Sequence, residues 1–231
     1  MIKIAPSTNP EKEDNLINYV KELQSANADY LHCDVMDGQF VEAKCLSPEL
    51  LYEVGQNSTI PLDVHLMVAN PIQVWENYYK ARPTNITVHY ESFQNKNNLI
   101  YLINEIHKKK IMVGVSIKPD TPVEDIVPFL PLIDVVLVMS VVPGKSGQKF
   151  IESSYEKIAK LKSIITTNNY NVKIEVDGGV DTTNIKLVYK AGADIVVMGS
   201  AVYKADNKAN FIKKMLKIWH LNNWYIKALH Y

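Results

Sequence analysis

In the run YLHCDVMDGQF, residues 30–40, His32 and Asp34 stand two positions apart within a stretch that otherwise reads as a buried strand. Strand side chains alternate between faces, so this imidazole and this carboxylate point to the same side. The same residue types recur in LDVHLMV at 62–68, which carries His65, and in KIEVDGG at 173–179, which carries Asp177. Two imidazoles and two carboxylates that converge form an N2O2 donor set. Such a set suits Zn²⁺, and Mn²⁺, Fe²⁺ or Co²⁺ would also be accepted. Either histidine alone reads more simply as a hydrogen-bonded core residue. Four such groups near strand ends, two of them on one strand face, favour a site.

Glycines supply a second constellation: PGKSG at 143–147, DGG at 177–179 and GS at 199–200. Glycine lets backbone N–H groups approach an anion closely, and helix N-termini reinforce them. Any one of the three reads as an ordinary turn, but their grouping after successive late strands favours a phosphate-bearing ligand. Met36, Met67 and Met139 sit at or near strand ends. They read equally as core filler and as an apolar collar that keeps a reacting centre dry. His89 reads as a ligand or as an orienting or structural residue, and the roles of Glu91 and Lys145 stay open. Lys118 could form a Schiff base, but the Pro119-Asp120 turn after it favours a solvated loop lysine.

These groups need a scaffold. Short β-branched runs at 2–7, 30–36, 62–68, 85–90, 112–117, 134–141, 173–179 and 194–200 alternate with amphipathic stretches. Helices are expected over 10–26, with Leu16, Ile17, Val20 and Leu23 on one face, from Ser47-Pro48, and from Asn70-Pro71. A further helix should end at Lys108–Lys110, a short one should start at Thr121-Pro122, and others should cover 151–166, 182–191 and NFIKKMLKIW near the end. Eight strand–helix units in 231 residues predict an α/β fold, a single (β/α)8 barrel domain over 1–231. A doubly wound open sheet is the alternative. In such a barrel the chemistry lies at the C-terminal ends of the strands, where Ser7, His32, Asp34, His65 and Asp177 all fall.

Lys+Arg and Asp+Glu both number 25, so charge gives no case for nucleic acid or an anionic membrane. Two cysteines outside any CxxC pair, no leader-like apolar segment and no spanning-length run predict a reduced, cytoplasmic protein.

LHCDVMDGQFV, DVHLMV, VMSVVPGKSGQKF, IEVDGG and VVMGSA together resemble the ribulose-phosphate 3-epimerase family, from IAPS at residue 4 to GSAVY ending at residue 203. The resemblance implies a (β/α)8 barrel in which His32, Asp34, His65 and Asp177 hold one divalent metal, often zinc, and Asp34 and Asp177 are the acid/base pair. It also implies that Ser7, Gly144, Lys145, Ser146, Gly147, Gly178, Gly179, Gly199 and Ser200 contact the substrate or its phosphate, with His65 and Asp177 also at the substrate. Met36, Met67 and Met139 match the family's methionine collar. The implied reaction inverts C3 of a small ketose phosphate, D-ribulose 5-phosphate to D-xylulose 5-phosphate, by two-aspartate proton transfer through a metal-stabilised enediolate.

Three segments depart from the family pattern. MDGQFVEA stands for MDGHFVPN, VPGKSGQ for NPGFGGQ, and PSTNPEK for PSILSAD. These loops border the sugar and phosphate, so a six-carbon ketose phosphate such as allulose 6-phosphate is the alternative substrate. A phosphate-binding barrel lyase or decarboxylase is the alternative from another class. Relatives form dimers or hexamers, so a homo-oligomer is expected. Trp219, Trp224 and Tyr225 in the last helix would serve a subunit contact or cap the barrel.

Overall fold

A computed structural model describes residues 2–227, with side chains as far as Lys217. Its strands are β1 (Lys3–Pro6), β2 (Leu31–Asp37), β3 (Lys44–Cys45), β4 (Leu62–Met67), β5 (Asn85–His89), β6 (Met112–Ile117), β7 (Val135–Met139), β8 (Lys173–Asp177) and β9 (Ile195–Met198). All but β3 pair in parallel, in the order β1-β9-β8-β7-β6-β5-β4-β2. The ring closes where Ser7, just beyond β1, bridges His32 of β2 in parallel, and Thr8 N–H donates to His32 O at 2.9 Å. The fold is therefore the expected (β/α)8 barrel. The two-residue β3 runs antiparallel to the end of β2 and is an addition to it.

The helices are α1 (Leu16–Ser25), α2 (Pro48–Asn57), α3 (Pro71–Tyr79), α4 (Lys96–Lys108), α5 (Ser154–Thr167), α6 (Ile185–Ala191), α7 (Ser200–Tyr203) and α8 (Lys208–Lys227). Ser47 caps α2 as its sequence predicts, its Oγ accepting from Leu50 N–H with Pro48 in the first turn. The expected helix after Thr121-Pro122 is instead a 3₁₀ segment at Val123–Leu132. Pro128 and Pro131 lack the N–H groups that a regular α-helix there requires. The helix expected from residue 10 begins with a 3₁₀ turn at Glu13–Asn15, and those expected from 151 and 182 begin three residues later. The side chains of Trp219, Trp224 and Tyr225 lie outside the described residues. No helix among the described residues is long and apolar enough to cross a membrane.

Alternation along the strands separates two environments. Leu31, Cys33, Val35, Val64, Leu66, Ile86, Val88, Val115, Val136, Val138, Ile174 and Val176 join one apolar cluster with the helices. Burying that layer is the main stabilising term of the fold. The alternate positions carry His32, Asp34, Asp63, His65, Asn85, Thr87, His89, Ser116 and Glu175, all buried. Polar groups held this deep must find partners or a charge to bind.

Candidate active site

His32, Asp34, His65 and Asp177 each offer one donor atom, and these atoms lie within 4.8 Å of one another. Strand pairing explains the convergence: β2 and β4 are in register with Asp34 beside His65, and Asp177 ends β8 beside Met139 of β7. Asp34 Oδ1 lies 3.4 Å from His32 Nε2 and 3.3 Å from His65 Nδ1, while Oδ2 accepts from Ser7 Oγ at 2.6 Å. His32 Nδ1 meets Asp63 Oδ2 at 2.6 Å, and Asp63 Oδ1 accepts from Asn85 Nδ2 at 2.6 Å. The ionised Asp63 therefore accepts the Nδ1–H of His32 and leaves Nε2 facing Asp34. That Nε2 is fully buried and has no hydrogen-bond partner. An orphaned ring nitrogen beside a carboxylate oxygen and a second ring nitrogen is a place a divalent cation fits.

The electrostatics set the two aspartates apart. Burial alone would raise Asp34, but the charge of His32 beside it outweighs burial and holds the carboxyl far below its ordinary range. Burial, with Asp34 adding to it, pushes Asp177 up to about 6. Burial opposes a charge on His32, yet Asp34 and Asp63 flank the ring and raise it well above an ordinary imidazole, and a cation at Nε2 would take the place of the proton that these carboxylates favour there. Glu175, beneath the site, is pushed up to about 8 by burial and by Asp63.

Above this floor opens a cavity of about 500 Å³. Asp34 and Asp177 reach it, whereas His32 and His65 are fully buried behind them and do not line it. Met36, Met67 and Met139 line it at its apolar side, each almost completely buried. Ser7, Gly144, Lys145, Ser146, Gly147, Gly178, Gly179, Gly199 and Ser200 line it as well, so every residue expected at the substrate except His65 faces this space. Gly179 has φ +65, and a Cβ there would come within 2.4 Å of Phe150 N. The chain at this point admits only glycine without moving.

Several contributors escape the sequence reading. Asp63, Asn85 and Glu175 follow the same two-residue alternation as His65 and Asp177, which is the signal that could have found them. Asn184 Nδ2 donates to Gly179 O at 2.8 Å, and Gln148 Nε2 ties Val142 O to Lys145 O at 2.6 and 2.8 Å. Lys204 lines the cavity from beyond Ser200. Lys118 lines a second cavity with Phe40, its Nζ 4.1 Å from that ring's centroid, and is no part of the His/Asp cluster.

Residues 3–203 match the model of the ribulose-phosphate 3 epimerase family. The chain is 38% identical over 208 residues to the ribulose-phosphate 3-epimerase of Helicobacter pylori, covering 90% of this chain and 93% of that protein. It is 37% identical over 216 residues to the ribulose-phosphate 3-epimerase of Bacillus subtilis, covering 93% and 98%. Among solved structures, KGPDC from Streptococcus mutans superposes with a TM-score of 0.69 at 12% identity, covering 94% of this chain and 96% of that one, a likeness of fold.

Proposed function

The chain belongs to the ribulose-phosphate 3-epimerase family, and from that premise we propose that this epimerase is metal-dependent and converts D-ribulose 5-phosphate to D-xylulose 5-phosphate by proton transfer between Asp34 and Asp177. The observation that carries the reading is the meeting of His32, Asp34, His65 and Asp177 donor atoms within 4.8 Å at the floor of the cavity. His32, Asp34, His65 and Asp177 would hold the cation; Zn²⁺ suits the donor set, and Lewis acidity toward the ketose oxygens is the chemistry it supplies when bound.

Inverting C3 requires one group to remove its proton and another to return one to the opposite face. Asp34 and Asp177 sit on β2 and β8, with β1 and β9 between them around the barrel, so they approach the cavity from different directions. Asp34 is held ionised, ready to accept, while burial and Asp34 raise Asp177 to about 6, so that Asp177 keeps its proton far more readily than Asp34 and the two carboxyls are tuned apart. The Ser7 hydroxyl occupies Asp34 Oδ2 and fixes the plane of that carboxylate. Met36, Met67 and Met139 keep water away from the carbanionic intermediate. The glycine loops at 144–147, 178–179 and 199–200 anchor the phosphate, and this remote binding energy positions the reacting carbon.

The test is proton exchange in D₂O, followed by NMR, with Zn²⁺-supplemented protein and ribulose 5-phosphate. Deuterium should appear at C3 together with xylulose 5-phosphate, and both should vanish in Asp177→Asn and on chelation. Exchange with a six-carbon ketose phosphate alone would reassign the substrate. No exchange with either would sink the proposal.

A further inference from the structure

A histidine can present a lone pair to a cation only from the ring nitrogen that lacks the proton, so its tautomer must be held by what the other nitrogen meets. For His32 that partner is Asp63, its register partner on the neighbouring strand β4. For His65 no carboxylate touches the far nitrogen. His65 Nε2 instead lies 2.9 Å from Nε2 of His89, and the two rings stack with centroids 4.9 Å apart. Two ring nitrogens at that distance share one proton. Which ring owns it is decided further along.

His89 Nδ1 lies 3.1 Å from Glu91 Oε2. The other oxygen, Glu91 Oε1, accepts the backbone N–H of Lys118 at 2.8 Å and the hydroxyl of Thr121. An ionised carboxylate only accepts, so His89 must donate from Nδ1. Fully buried beside the Phe40 ring, His89 carries a single ring proton. Its Nε2 is then the acceptor and His65 donates from Nε2 at 2.9 Å. Asp34 Oδ1, 3.3 Å from His65 Nδ1, is the rival acceptor at longer range, so the single ring proton of His65 is donated to His89 and Nδ1 is kept for the cation. The far end is also fastened: Lys157 Nζ donates to the carbonyl oxygens of Lys118, Pro119 and Thr121, which fixes the loop that grips Glu91.

We infer that Glu91 and His89 are positioning residues that dictate the tautomer of His65 and so keep its Nδ1 free for the cation. Neither touches the substrate cavity. The geometry stands by itself, while its consequence for metal rests on the function proposed above.

Glu91→Gln is the diagnostic variant. The Lys118 N–H can only donate, so the amide oxygen must take the Oε1 place and the NH₂ must face His89 Nδ1. The amide then donates, the His89 proton moves to Nε2, and the His65 proton moves to Nδ1, where it blocks the cation. In metal-free protein, ¹⁵N NMR of the histidine rings should show His65 protonated at Nε2 in the wild type and at Nδ1 in the variant. Zn²⁺ affinity should fall about 10- to 100-fold. Glu91→Asp, which restores an acceptor, should recover part of that loss. A residue with a purely structural role would not exchange the tautomer.

A wild-type His65 protonated at Nδ1, or a variant whose His65 tautomer does not change, would overturn the inference. The wild-type spectrum decides this even if the variant fails to fold. Tautomers as expected in a protein that binds no Zn²⁺ would instead overturn the metal reading and leave the relay standing.

Discussion

The two ends of the cavity are built from different material. At the proposed reaction end, buried side chains of β2, β4 and β5, with Ser7 just beyond β1 and Glu91 just beyond β5, are hydrogen-bonded to one another: Ser7 to Asp34, His32 to Asp63, His65 to His89, His89 to Glu91. At the anchoring end, the loops at 142–148, 178–181 and 199–204 contribute mainly backbone and glycine, much of it half-buried or exposed. Moving a proton needs a particular functional group at a particular place, and rigid strands hold such groups best. Holding a phosphate needs only N–H groups that can come close, which any residue supplies if the chain can bend enough. The reaction end should therefore be sensitive to chemistry at constant shape, and the anchoring end to shape at constant chemistry.

The largest effect should come from changing chemistry without shape. Asp177→Asn keeps volume and removes the acid, so C3 deuterium incorporation should fall about 10³-fold or more. Thermal unfolding should show no loss of stability, since the variant no longer places an ionisable group in a site that raises its pKa. A loss of less than about tenfold would break the contrast, because one aspartate would then suffice for both proton steps.

Gly179→Ala is the converse experiment. It adds one methyl group and no chemistry, but the Cβ would meet Phe150 N at 2.4 Å with φ at +65. The backbone must shift, at a cost of about 1–3 kcal/mol in stability. KM should rise about tenfold while Zn²⁺ affinity stays within about twofold of wild type, because the strain falls on the phosphate side. Isothermal titration with Zn²⁺ alongside steady-state kinetics checks both halves. An equal loss of metal affinity would show that the two ends are mechanically one.

The same division governs what the sequence made readable. The convergence of His32, Asp34, His65 and Asp177 is legible in the sequence because two-residue alternation and strand-end position are local patterns, and the barrel follows from counting strand–helix units. The glycine loops were found as composition, yet their geometry was not, since nothing local says that Gly179 lies against Phe150. Asp63, Asn85 and Glu91 were missed or left open because a partner across the barrel is a register fact. Asp63 pairs in register with His32 only once β2 and β4 are laid side by side. The short helix expected after Thr121-Pro122 is present at Val123–Leu132 but as a 3₁₀ segment, a form its prolines impose.

A third test probes the interior beneath the reaction end. Glu175 ionises near 4.5 in an unfolded chain but is pushed up to about 8 in the barrel. Below pH 4.5 both states are protonated and the group has no effect on stability. Between 4.5 and 8 the folded protein retains a proton that the unfolded chain releases, so stability declines as pH rises, and above 8 the decline stops. Glu175→Gln has no such proton. Its melting temperature relative to wild type should therefore increase from pH 5 to pH 8, by the equivalent of about 3–4 kcal/mol. A constant difference across that range would mean that the carboxyl is already ionised at pH 5, balanced by His32 at 3.6 Å.

The smallest effect belongs to the one charge at the anchoring end that stands where the family pattern has phenylalanine. Lys145 lines the cavity but is exposed, in a loop held by Gln148 through backbone oxygens and not through the lysine head group. An exposed ammonium near a phosphate gains about 1 kcal/mol at contact in water, and salt screens it. Lys145→Ala should raise KM about two- to threefold at low ionic strength, leave kcat within error, and lose its effect in about 0.5 M salt. If turnover instead fell more than tenfold regardless of salt, the lysine would be making a desolvated contact in the closed complex. The anchoring end would then depend on side-chain chemistry after all, and the contrast between the two ends would reduce to a difference in burial.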